Sequence, residues 1–182
     1  MTQHRDILDL ILTASDRSPA PNASEILDRL FQDLCEEPPS RAAAETESMI
    51  WSVWTAHENP QAAEEMARAL RMMSAGSYEV AERVLDGLIQ SFPDWAEAWN
   101  KRATLYFLMD RDEDSAGDIA ATLRLEPRHF GALSGFAQIC LRRGDDAGAL
   151  IAFEEALRIH PGLDGVRSAI KDLSGKFGTA LN

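Results

Sequence analysis

The chain has 182 residues, 45% of them hydrophobic and 26% charged, and a formal net charge of −12. That is enough for one soluble domain with a sizeable core or for a short solenoid. The acidic balance repels phosphate backbones and excludes nucleic acid as a general partner, and no apolar run reaches the ~18 residues of a membrane-spanning helix.

Residues 1–23 read as an N-terminal helix and linker. Leu8, Ile11 and Leu12 recur at helical spacing, while Asp6 and Asp9 interrupt the short apolar run that follows His4 and Arg5. The segment therefore reads as amphipathic rather than as a signal peptide. The expected location is cytoplasmic, or periplasmic if an export signal was trimmed or precedes Met1. Pro19 and Pro21 mark a loop.

Residues 24–60 read as an irregular helical hairpin, a degenerate repeat acting as an N-terminal cap. Ser24 is a good N-cap for a helix carrying Ile26, Leu27, Leu30, Phe31, Leu34 and Cys35, which Pro38-Pro39 stops. Ser40 opens a second helix with Met49, Ile50, Val53 and Trp54 on one face and Trp51 beside them, closed by Asn59-Pro60.

From there a period governs the chain. Pro93, Pro127 and Pro161 are evenly spaced, each closing an apolar helical run, and a fixed interval of ~34 residues marks a repeat array. Three units follow, 61–94, 95–128 and 129–161. Each is a pair of helices with a polar turn between them: Gly76-Ser, the acidic run from Asp110 to Asp114, and Arg143-Gly-Asp-Asp. Ala69, Ala103 and Ala137 recur at the same interval, as small residues do where two helices cross closely. Residues 162–182 hold a capping helix with Leu163, Val166, Ile170 and Leu173 on its apolar face, with a frayed tail after Gly175. The fold class is thus all-α, a solenoid between two caps.

The spacing of Trp99, Ala103 and Tyr106, of Leu133, Phe136, Ala137, Cys140, Ala149 and Phe153, and of Ala69, Met72, Ala81 and Leu85 resembles the tetratricopeptide repeat family over about residues 61–161. The chain looks similar to short bacterial proteins of this kind. Arg102 and Arg68 depart from the pattern at its Leu slot, Glu65 at its Trp slot, Ser115 at its later Ala slot, and Ile119 replaces Phe. The resemblance implies antiparallel helix pairs stacked into a right-handed superhelix, with the first helices lining a concave groove that binds a peptide. In that register the groove candidates are Met66, Leu70, Met73, Lys101, Thr104, Phe107, Leu108, Ser134, Gln138, Leu141 and Arg142. A family branch that clamps chaperone C-termini with Lys, Asn and Arg is not matched. Those places hold Met66, Leu70, Lys101, Gly131 and Gly135.

Catalytic and metal motifs are not found. His4, His57, His129 and His160 do not pair at metal-ligand spacing, and His129 and His160 flank the repeat prolines, where polar loop residues belong. Cys35 and Cys140 both sit among apolar residues and read as buried free thiols. Asp110-x-Asp112-x-Asp114 opens like a calcium loop, but Ser115 and Ala121 replace its glycine and its bidentate glutamate. Adjacent acids such as Glu64-Glu65 and Glu154-Glu155 point apart on a helix and cannot work as an acid/base pair. The expectation is a non-enzymatic module without cofactor or metal that binds a protein segment in its groove. The alternative is a structural or self-assembling protein whose groove is filled by Leu8, Ile11 and Leu12 of its own N-terminus or by another copy, as in a homo-oligomer.

Overall fold

A computed structural model describes residues 2–14, 25–36 and 41–179. The predicted boundaries at Ser24, Pro38, Pro39 and Ser40, and the loop with Pro19 and Pro21, lie outside them. Among the described residues the secondary structure is helical, with no strand: α1 (Thr2–Leu12), α2 (Glu25–Glu36), α3 (Arg41–Thr55), α4 (Pro60–Ser74), α5 (Tyr78–Ser91), α6 (Ala96–Leu108), α7 (Asp112–Leu125), α8 (Phe130–Arg142), α9 (Asp146–Ile159) and α10 (Asp164–Thr179).

The period of the sequence is visible in the backbone. Within the pairs α4–α5, α6–α7 and α8–α9, the first helix ends on a left-handed residue: Gly76 at φ 71°, Asp110 at φ 56° and Gly144 at φ 74°. The same two bonds close each turn. Ser77 N–H donates to Met72 O, Arg111 to Tyr106 and Asp145 to Cys140, all at 2.9 Å, while Gly76, Asp110 and Gly144 donate to Met73, Phe107 and Leu141 at 3.0, 3.2 and 3.0 Å. This is the helix end that satisfies orphan carbonyls through a left-handed residue, so glycine suits it and Asp110 occupies it at some steric cost.

Between pairs the prolines have a defined place. Trp95 N–H donates to Phe92 O, His129 to Glu126 and Leu163 to His160, at 3.1, 3.1 and 3.3 Å. Each repeat proline is the second residue of that four-residue turn, where its fixed φ is favoured. Pro60 plays another part. The sequence suggests that it ends α3, yet α3 stops at Thr55 and Pro60 opens α4, with the Asn59 side chain accepting from Gln61 and Ala62 N–H. A proline at the first helical position loses no hydrogen bond that the helix would make.

Packing follows the pattern of small residues. Ala69, Ala103 and Ala137 are fully or almost fully buried. The Ser115 hydroxyl, at a slot where the repeat pattern has alanine, donates to Ala103 O at 2.8 Å and so satisfies itself across the α6–α7 crossing. One apolar cluster joins α4, α5 and α6. The larger cluster runs through α6–α10 and takes in α1, α2 and α3. Leu163, just before α10, and Val166 and Ile170 of α10 lie on this core, α10 buries Leu173, and its helix continues past Gly175 to Thr179.

The N-terminal third belongs to that core. α1 packs on α7 and α9, the second helices, burying Ile7 and Ile11 while Leu12 stays 64% exposed. From the α2–α3 hairpin, Phe31, Trp51 and Trp54 surround Phe130 at ring distances of 6.5, 5.3 and 5.0 Å. Trp95 Nε1–H donates to Trp54 O at 2.8 Å. Cys35, read from sequence as buried, is exposed, its thiol directed to Ile159 O at 3.4 Å, whereas Cys140 is buried. Position 35 falls at the edge of the α2 apolar face, which Leu27, Leu30, Phe31 and Leu34 fill.

Ala137→Leu inserts a larger side chain into a fully buried site and is expected to cost ~1–3 kcal/mol. Thermal denaturation checks it: a lowered midpoint is expected, and an unchanged one contradicts a close crossing at Ala137.

Candidate functional site

The first helices of the three pairs, α4, α6 and α8, carry all the groove candidates. Met66 is fully buried and contributes no surface. Leu70 and Met73 are half-buried against the α4–α5 cluster. Thr104 and Gln138 are exposed, Leu108 is 48% exposed, and Ser134 and Leu141 are half-buried.

The two cations of the set are engaged within the protein. Arg142 lies 3.8 Å over the Phe107 ring and pairs with Asp110 and Asp112, both at 2.9 Å. The acidic turn that resembles half a calcium loop thus holds an arginine. Lys101 pairs with Glu97 at 2.7 Å beneath the Trp51 ring, which stands 4.9 Å away. Trp51 reaches this place because Gly131 has no side chain. A Cβ there would stand 2.6 Å from the indole.

Glu97 and His129 form the buried centre of this region, each without side-chain exposure. The Glu97 Oε2 atom receives His129 Nε2 at 2.9 Å and the Asn100 amide at 2.9 Å. His129 Nδ1 accepts the Ala132 N–H at 3.1 Å, so the proton sits on Nε2 and is donated to Glu97. Histidine here is the N-cap of α8, and Trp54 stacks on it at 4.0 Å. Burial pushes the Glu97 carboxyl up, but the hydrogen bond from His129 and the charge and hydrogen bond of Lys101 outweigh it and hold the group below its ordinary value. His160 repeats the motif one proline turn later: its Nδ1 accepts Gly162 N–H at 3.2 Å, and its Nε2 lies 3.1 Å from Glu47 of α3. The sequence alone suggests that both histidines are polar loop residues. They are buried because α2 and α3 cover the proline turns, a contact that spacing within the repeats cannot signal.

Arg102 and Asp118 also escape a reading of the sequence. Arg102 fills a family leucine slot, yet it makes two bonds to Asp118 at 2.7 and 2.9 Å and one to Asp86 at 2.7 Å, tying α6 to α7 and α5. A salt bridge replaces the apolar contact there.

A cleft of ≈ 380 Å³ opens between α3, α8 and α10. Glu47, Ser134, Gln138, Leu163, Asp164 and Val166 are among its lining residues, so it brings together two of the groove candidates. Its charged lining residues are acids, and its apolar wall comes from Leu163 just before α10, Val166 and Ala169 of α10 and Phe153 of α9. Leu70, Met73, Thr104 and Phe107 are not part of it. Nothing in this lining is arranged as an acid/base or nucleophilic pair. Elsewhere, burial pushes the Cys140 thiol up to about 12, with the Asp145 charge adding to it, so that sulfur is no nucleophile at neutral pH.

Comparison with known proteins agrees with the repeat pattern. The sequence profile of the tetratricopeptide repeat family matches residues 113–164. A TPR repeat-containing protein of Rhizobium etli is 36% identical over 145 residues, which is 80% of this chain and 71% of that protein. A tetratricopeptide repeat and J domain-containing co-chaperone of Cryptococcus neoformans is 33% identical over 90 residues, 50% of this chain but 17% of the co-chaperone.

Removing Glu97 leaves the buried His129 N–H and Asn100 amide without an acceptor and Lys101 without its counter-charge, so Glu97→Ala is expected to destabilise the fold by about 3–5 kcal/mol at pH 7. Because the folded carboxyl titrates below 4.5, its contribution is present above that pH and is lost as pH falls through the folded value. Urea denaturation across pH should show the gap between wild type and variant narrowing in acid. A gap that stays constant or widens contradicts an ionised Glu97.

Proposed function

The chain belongs to the tetratricopeptide repeat family, and from that premise we propose that it is a non-enzymatic module binding a segment of a partner protein along the first-helix face. Repeats of this family serve in general as protein-interaction modules, and among the described residues no helix is long and apolar enough to cross a membrane.

The observation that carries the reading is the cleft between α3, α8 and α10. Its Leu163 and Val166 wall offers apolar contact, and Ser134 and Gln138 offer hydrogen bonds. That combination of apolar anchors with a few polar groups is what a peptide site needs. Glu47 and Asp164 on its lining favour a neutral or basic segment over an acidic one. The same preference follows from Lys101 and Arg142, whose charges are already met by Glu97, Asp110 and Asp112. An acidic peptide finds no unpaired cation at either place. The position of α1 supports an open face as well. It covers α7 and α9 instead of entering between the first helices.

The reading predicts where a partner touches. A photo-crosslinking residue at exposed Thr104 or Gln138 should trap one partner protein in the native cell, while the same residue at exposed Arg124 or Glu154, on the second helices, should not. Filling the cleft with Ser134→Tyr should weaken that partner at least tenfold, about 1.4 kcal/mol, with helicity unchanged. Equal trapping from both faces contradicts the groove, and a crosslink only to a second copy of the chain selects self-assembly.

A further inference from the structure

His4, Cys140 and Asp145 meet where α1 crosses the turn between α8 and α9. Their ligand atoms all lie within 4.8 Å of one another. His4 Nε2 stands 2.8 Å from Asp145 Oδ2 and 3.7 Å from Cys140 Sγ. From this geometry we propose that the three side chains bind one borderline-soft divalent cation, zinc by preference, and that the ion fastens α1 to the repeat array.

The donor set is the first argument. An imidazole nitrogen, a sulfur and a carboxylate oxygen are the ligand types that zinc takes. Both neighbours face the same histidine nitrogen. A nucleophilic relay needs the opposite arrangement, with base and orienting acid on the two different nitrogens. A single nitrogen aimed between a sulfur and a carboxylate is the arrangement of convergent ligands. With usual zinc bond lengths, nitrogen and sulfur across a tetrahedral angle are about 3.6 Å apart, close to the 3.7 Å observed. The His4–Asp145 separation corresponds to a hydrogen bond and widens by about 0.5 Å when an ion replaces its proton.

The second argument is that the site is built. Asp145 N–H donates to Cys140 O at 2.9 Å, which fixes two ligands on one turn. The other carboxylate oxygen of Asp145 accepts Gly148 N–H at 2.9 Å, holding Oδ2 toward His4. Gly148 makes room for both: a Cβ there would stand 2.3 Å from Asp145 Oδ2 and 3.2 Å from Cys140 Sγ. The His4 ring lies 4.9 Å from Phe136 and is carried by a helix whose Ile7 and Ile11 are buried. The sulfur is fully buried, while His4 and Asp145 keep 22% and 37% of their side chains exposed, leaving an entry path and an open coordination position. Binding displaces the thiol proton to water, as a coordinating metal deprotonates its thiol outright. No spacing in the sequence signals such a site, because His4 and Cys140 lie far apart along the chain.

Cobalt(II), a spectroscopic substitute for zinc, tests the site in the metal-free full chain carrying any purification tag at its C-terminus. One equivalent should produce a thiolate-to-cobalt charge-transfer band that zinc abolishes. The band should vanish in Cys140→Ser and survive in Cys35→Ser. In His4→Gln the affinity should fall at least ~10-fold, since even outer-shell changes cost that much. Zinc should also raise the melting temperature of the wild type and not of His4→Gln, a partly exposed substitution that keeps the test valid if Cys140→Ser fails to fold. No thiolate band, a band that follows Cys35, or undiminished affinity in His4→Gln overturns the proposal.

Discussion

A carboxylate and an imidazole with no exposure to water anchor this fold. Glu97 on α6 and His129 at the head of α8 belong to different helix pairs, and their 2.9 Å contact joins those pairs at the proline-turn edge. Either side chain alone at that depth would carry a heavy desolvation cost. Together they are satisfied, because Asn100, Lys101 and the α8 backbone supply the remaining contacts. The pair also needs a lid. Trp54 stacked on the imidazole and Trp51 above Lys101 provide it, which makes the α2–α3 hairpin a structural part of the array.

The same requirement explains how the N-terminal third is distributed. A single helix pair cannot bury its own apolar face, and stacked neighbours usually supply the rest. Here α1 covers the second helices α7 and α9, and α2–α3 covers the proline turns with Phe31, Trp51 and Trp54 around Phe130. α7 consequently buries residues around much of its circumference, from Ser115 and Asp118 to Ala120 and Leu123. The proposed partner site lies on the first-helix face, where Thr104, Leu108 and Gln138 are exposed.

The periodic part of the fold is legible in the sequence because its determinants are local. Pro93, Pro127 and Pro161 sit in equivalent turns, and the left-handed residues 76, 110 and 144 follow the same spacing. Ala69, Ala103 and Ala137 are buried as their small size implies. The site is less legible. Met66 is core, and Lys101 and Arg142 have partners that lie on other elements or on a face that spacing does not assign. His129, His160 and Cys140 owe their surroundings to α1 and α3, which come from far upstream in the chain. A period reports what repeats, and these contacts occur once. Asn59-Pro60 is a smaller instance of the same limit, since a proline that stops one helix and a proline that starts the next look alike in sequence.

Native-state hydrogen exchange tests most directly whether α3 and the repeats form one cooperative body around Glu97 and His129. Amides in the middle of α3, near Ile50 and Trp54, should exchange only with the global unfolding that releases α6 and α8, and should share their protection free energy. Exchange of α3 through a separate low-energy opening, with α6 and α8 still protected, would contradict the account.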